Sequence, residues 1–201
     1  MKEEINSIKN LLYSGQKINV DLAISIMDSL GLTWDSKGFE EEKELIDLYG
    51  NSVFYKTYLD LSYGNPLESL PESMGRLQKL ESLDLGDNQL STLPESISQL
   101  QNLEKLYLND NQLRSLPASI GQLQNLEVLW LGGNKFNFLP TSISQLQKLK
   151  KLDLGDNQLS SLPAAIGQLQ QLKTLWLEGN PLSNTAKEEL RKQLPNTIIA
   201  F

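Results

Sequence analysis

The 201-residue sequence contains neither cysteine nor histidine. Without cysteine there is no disulfide, no thiolate nucleophile and no Cys-based zinc site. Without histidine the commonest general base, the Ser-His-Asp triad and the usual imidazole metal ligand are all missing. No apolar run approaches the roughly 18 residues of a membrane-spanning helix, and no Asn-x-Ser/Thr sequon occurs. The opening Met1-Lys-Glu-Glu-Ile-Asn-Ser-Ile lacks the apolar stretch of a secretory signal, so the expectation is a cytoplasmic protein. A secreted form whose leader has been removed reads the same way. Positive charge is scarce too. The net charge of −7 argues against nucleic acid and anionic membranes as partners, since both need clustered lysine and arginine.

The charge is also uneven. Residues 1–127 carry 20 acidic and 10 basic side chains, whereas residues 128–201 carry 5 and 8. An elongated molecule built from this chain is acidic towards one end and mildly basic towards the other.

What the sequence does have is a period. Leu80-Glu-Ser-Leu83-Asp-Leu85-Gly-Asp-Asn88-Gln-Leu90-Ser-Thr-Leu93-Pro94 returns every 23 residues, marked by Asn88, Asn111, Asn134, Asn157 and Asn180 and by Pro94, Pro117, Pro140 and Pro163. A fixed period of this length signals a solenoid, in which each unit buries its apolar face only against its neighbours.

Three regions follow. Residues 1–53 show no repeat and read as helices, with Ile5, Ile8, Leu11 and Leu12 at helical spacing, a second apolar set from Leu22 to Leu30, and a third segment ending at Gly50. They are expected to cap the first repeat, with Trp34 packed on it. Residues 54–182 form the solenoid, six rungs from Asn65 to Asn180. The first rung has one extra residue before its Asn, which predicts a bulge at Gly64. Residues 183–201 are expected to form a carboxy-terminal cap: Thr185-Ala-Lys-Glu188 reads as a capping box opening a short helix, Pro195 ends it, and Ile198-Ile199-Ala-Phe201 is an apolar tail.

The pattern Leu-x-x-Leu-x-Leu-x-x-Asn-x-Leu-x-x-Leu-Pro-x-x-Ile-x-x-Leu resembles the leucine-rich repeat family, in the 23-residue form of intracellular and bacterial members, over about 130 residues. The resemblance implies an α/β fold: a curved right-handed superhelix with a parallel sheet on the concave side and short helical or extended segments on the convex side. Bacterial ubiquitin ligases of this family carry an additional catalytic domain with a cysteine, which this chain lacks.

The residues support that shape independently. In Leu126-Glu-Val-Leu129-Trp-Leu131, alternation sends Leu129 and Leu131 inward and Val128 and Trp130 outward. The recurring asparagines (Asn65, Asn88, Asn111, Asn134, Asn157 and Asn180) read as a structural ladder, since an amide carries both donors and acceptors for the backbone of adjacent turns. Phe136 replaces the leucine of other rungs at an inward position. Gln99, Gln122, Gln145 and Gln168 read as a solvated convex row.

With inward positions fixed by packing, function is expected on the outward strand positions. The central one reads Asp60, Asp84, Tyr107, Trp130, Asp153 and Trp176, and the one before it includes Tyr58, Lys105, Val128 and Lys151. Tyr107 and Trp130 fall on successive rungs, and exposed aromatics are enriched at binding hot spots. Gly132 and Gly155 beside them leave room for a partner. The expectation is a monomeric, non-enzymatic module that binds a protein or peptide on its concave face, without metal or cofactor. Two other readings stand beside it. The near identity of residues 83–100 and 152–169 fits a scaffold or self-associating protein, natural or consensus-like. Asp60 and Asp84 on successive rungs allow a hydrolase with paired carboxylates, although nothing in the sequence provides an apolar pocket around them. The row Asp87, Asp110 and Asp156 suggests calcium, but Gly133 interrupts it and no loop wraps around it.

Overall fold

The computed structural model describes residues 58–62, 67–70 and 72–201. The expected helices of residues 1–53 with Trp34, and the bulge at Gly64 beside Asn65, lie outside the described residues.

Each repeat contributes one three-residue strand: β1 (Tyr58–Asp60), β2 (Ser82–Asp84), β3 (Lys105–Tyr107), β4 (Val128–Trp130), β5 (Lys151–Asp153) and β6 (Thr174–Trp176). A seventh, β7 (Ile198–Ala200), comes from the apolar tail. The strands pair in sequence order, all parallel, and the register keeps equivalent positions side by side. The central residue of β1–β6 is always leucine, and Leu59, Leu83, Leu106, Leu129, Leu152 and Leu175 line up and are buried. Because side chains alternate across a strand, both flanking residues point to the opposite, concave face.

After each strand the chain turns into the interior. The residue before the asparagine takes the left-handed conformation, with φ of 53° at Asp87, 54° at Asp110, 66° at Gly133, 50° at Asp156 and 73° at Gly179. Aspartate tolerates that region better than most residues and glycine adopts it freely. The row suggested for calcium is thus set by backbone geometry, which explains why glycine alternates with aspartate there. No group of three metal-ligating side chains occurs among the described residues.

The asparagine that follows locks the turn. Asn134 Nδ2 donates to Leu108 O of the preceding rung at 2.8 Å and to Leu131 O of its own rung at 3.0 Å, while its Oδ1 accepts from Leu113 N at 3.0 Å. Asn88, Asn111, Asn157 and Asn180 repeat the arrangement. The expected ladder is present at every described position.

The return path is equally regular. Pro94, Pro117, Pro140 and Pro163 hold φ between −68° and −60° in extended backbone, and each proline carbonyl accepts from the amide of the isoleucine three residues on. A short 3-10 turn follows each of these prolines, such as Glu95–Gln99 in the second rung and Ala118–Gln122 in the third, and its isoleucine is fully buried. Phe136 is buried as well, and it is the bulkiest of the fully buried side chains. Gln99, Gln122, Gln145 and Gln168 are exposed, as expected. A second polar ladder was not foreseen: Gln101, Gln124 and Gln147 donate from Nε2 to the carbonyls of Ser98, Gly121 and Ser144, and the first two also reach Gln122 O and Gln145 O of the next rung. Its signal is the Gln-Leu-Gln tripeptide, repeated at the same period in the sequence. The convex turns also approach closely at Gly121, where an added Cβ would stand 2.6 Å from Ser142 O.

The carboxy-terminal segment corrects one expectation. Helix α1 spans Asn184–Gln193, and its N-cap is Ser183, whose Oγ accepts from Ala186 N at 3.1 Å. Thr185 lies inside the helix, so the capping box falls two residues too late. The reason lies upstream: Ser183 is extended, with φ −69° and ψ 157°, and it is the first residue after Leu182 able to accept from the helix. Leu190 and Leu194 are buried against the core, and β7 then completes the sheet. The Phe201 ring lies 5.3 Å from Lys187 Nζ and 4.8 Å from Arg191 Cζ, so the tail is clasped by cations of α1.

Candidate functional site

The outward residues of β1–β6 form one continuous surface. In β3 and β4 the register places Tyr107 opposite Trp130 and Lys105 opposite Val128. The two rings meet edge to face, with centroids 4.9 Å apart and planes at 77°. Such a pair favours this mutual orientation by quadrupole complementarity. Trp130 nonetheless keeps 39% of its surface exposed, and Tyr58 keeps 43%. Val128 and Tyr107 are half-buried beside it.

A hollow of about 660 Å³ runs across this face from Tyr58 in β1 to Trp130 in β4. It is an open trough on the amino-terminal half of the sheet. Tyr58, Asp60, Asp84, Lys105, Tyr107 and Trp130 all line it. Val128, Lys151, Asp153 and Trp176 share the concave face but lie outside the lining. The sequence therefore identifies the face, while the structure divides it. Glu81, Asp87, Glu104 and Asn109 also line the hollow. They flank the strands rather than occupy them.

Hydrogen bonds organise the acidic wall. Asp60 Oδ1 accepts from Ser62 N at 2.8 Å and from Ser62 Oγ at 2.5 Å, and Asp60 also pairs with the Tyr58 phenol. Asp84 Oδ1 accepts from Gly86 N at 3.0 Å. These are short-range turns in which a carboxylate satisfies the amide two residues on. Partial burial, followed by the Asp60 and Asp84 charges, pushes the Tyr58 phenol above its usual range. The two aspartates thus hold local backbone on an open face, an arrangement unlike an acid and base enclosed around a bond.

Asp153 sits in register between Trp130 and Trp176. Burial raises its pKa, and Glu178, Asp156 and Asp110 raise it further, while the amide of Gly155, which donates to Oδ1 at 2.9 Å, opposes the shift. Its carboxylate also fills the space over Gly132: a Cβ there would lie 3.1 Å from Oδ2. The room expected beside Gly132 is therefore taken up by the chain itself.

The flanking row shows where charge is compensated. Lys150 Nζ pairs with Glu127 Oε1 at 2.6 Å, across β5 and β4. Glu104 and Glu81, the equivalent residues of the two preceding rungs, have no ion pair among the described residues. Each faces another glutamate in the next rung.

Comparison with known proteins places this geometry. A model described as "leucine-rich repeat region" matches residues 42–135, and one described as "leucine rich repeat" matches residues 124–182. No curated protein matches the chain. Among solved structures, a leucine-rich-repeat protein of Leptospira interrogans is 36% identical with a TM-score of 0.52, over 72% of this chain and 48% of its own. A plant peptide hormone receptor, RGFR1, solved in complex with RGF2, is 34% identical with a TM-score of 0.56, over 67% of this chain and 27% of its own. An internalin of Listeria monocytogenes is 25% identical with a TM-score of 0.61, over 72% and 40%. The chain thus spans about half or less of the length of these proteins. Domains of this kind are typically interaction modules without enzymatic activity, and no helix among the described residues is long and apolar enough to cross a membrane. Its period, its parallel sheet and its structural neighbours agree: the chain belongs to the leucine-rich repeat family.

Proposed function

We propose that the chain docks a protein or peptide partner on its concave face, with Tyr107 and Trp130 at the centre of the contact. The observation that carries this reading is the edge-to-face pair itself: a tryptophan packed against its neighbour yet 39% exposed at the mouth of an open trough. Large aromatics lose little entropy on binding, which is why they dominate hot spots. A solved structure similar to this chain is a plant peptide hormone receptor in complex with RGF2, which supports a protein or peptide as the class of partner. Asp60 and Asp84 belong to this surface as its acidic wall.

The test is selection of a displayed peptide library on the full chain, repeated on the double variant Tyr107→Ala/Trp130→Ala. Both residues lie on the solvent side of the sheet, so the circular dichroism spectrum is expected to be unchanged. Peptides enriched on the native protein should lose at least tenfold in affinity for the variant. Equal affinity for both proteins would remove the reading.

A further inference from the structure

Among the described residues, the trough on β1–β4 is an open sheet face with an aromatic end and an acidic end. Trp130 and Tyr107 form the first, and the second carries Asp60, Glu81, Asp84, Asp87 and Glu104, with Lys105 as the one cation among the described lining residues. Two of these carboxylates, Asp60 and Asp84, accept from their own turns. Glu81 and Glu104 are exposed, and their side chains serve no turn and no ion pair among the described residues. One rung further on, Glu127 of the same row is paired with Lys150, so within this row the carboxylates without an ion pair among the described residues are the two that line the trough.

We infer that the segment docked in this trough is a basic, extended peptide whose arginine or lysine side chains lie between the Glu81/Glu104 row and the face of Trp130. This rests on the docking reading above and specifies the partner's chemistry. The aromatic face attracts a cation through its quadrupole within about 6 Å of the ring, and arginine stacks on it best. The glutamates supply carboxylate acceptors for the same guanidinium or for the next. The dimensions match. Strands β2 and β4 are two spacings apart, roughly 9.6 Å, a distance that three residues of extended chain cover at about 3.3 Å each. Carboxylates on neighbouring strands repel one another, and a cation entering between them relieves that repulsion. An acidic segment meets the opposite situation and is excluded.

The experiment is isothermal titration of the full chain, at about 0.15 M salt to screen distant charges, with an acetylated, amidated heptapeptide of alternating arginine and serine. The same peptide with glutamate for arginine is the control. The arginine peptide is expected to bind and the glutamate peptide to give no heat. Glu81→Gln/Glu104→Gln should weaken binding at least fivefold, and Trp130→Ala likewise. Glu188→Gln/Glu189→Gln, which removes the same charge from exposed positions on α1, should change it less than twofold. No binding of the arginine peptide overturns the inference, and so does equal weakening by the two glutamine pairs, since attraction is then only to net charge. Neutral or acidic library peptides that depend on Trp130 also overturn the basic class, yet leave the docking site standing. Library binding indifferent to Tyr107→Ala/Trp130→Ala removes both.

Discussion

Asp153 shows how a single position on the concave face is shaped by its neighbours. Its carboxyl is held above the usual range by burial and by the Glu178, Asp156 and Asp110 charges. A carboxylate whose folded pKa is raised favours the fold fully only below its unfolded pKa, about 3.9, and that contribution is lost as pH rises through the folded value. At neutral pH the charged Asp153 therefore works against stability. Asp153→Asn keeps an acceptor for the Gly155 amide and removes the charge. We expect a higher Tm than the native chain at pH 7, with the advantage fading as pH falls towards 4, in parallel thermal melts. A native-like or lower Tm at pH 7 would mean that the carboxylate is stabilised where it stands. Asp87 and Asp110, though also acidic, owe their presence to positive φ. A sequence shows only that an aspartate recurs. Backbone geometry separates the aspartates that fill a left-handed turn from those that present charge.

At the scale of elements, the strands and asparagine turns were legible, because each repeats the same chemistry and the copies reinforce one another, whereas the convex segments were expected only as short helical or extended and are 3-10 turns. The carboxy-terminal helix occurs once and lacks that redundancy. There Thr185 and Glu188 match the capping-box spacing, but the cap is Ser183. The two assignments make opposite predictions. Ser183→Ala removes the acceptor of the Ala186 amide and should cost about 1 kcal/mol, typical of a lost N-cap. Thr185→Ala changes an exposed position inside the first turn to a better helix former and should be neutral or slightly stabilising. Urea unfolding of both variants decides between them, and a larger loss for Thr185→Ala would reverse the assignment. The candidate site follows the same logic. Strand alternation found Tyr107 and Trp130 because they are in strands, whereas Glu81 and Glu104 precede theirs and matter only because the trough extends past the strand ends.

The whole molecule depends on stacking, so its ends need separate protection. Each rung is covered by the next, but Leu175 and Leu177 of the last repeat have no seventh repeat above them. They are buried because β7 pairs with β6, Leu177 N donating to Ala200 O at 2.8 Å and Ile198 N to Lys173 O at 2.8 Å, while α1 sets Leu190 and Leu194 against the core. Removing residues 183–201 would expose both the backbone edge of β6 and the leucines beneath it. An unpaired edge over an apolar surface is a template for pairing with a second chain, and solenoids lacking a polar terminal unit lose solubility. The shortened chain is expected to self-associate with rising concentration in light scattering and to melt at a lower temperature, while the full chain stays monomeric across the same series. A single Leu177→Lys change in the shortened chain should suppress the association, because a charge on the exposed end opposes stacking without restoring the cap. If the shortened chain instead remains monomeric with an unchanged melting temperature, α1 and β7 are accessory to the solenoid and the last rung is stable on its own.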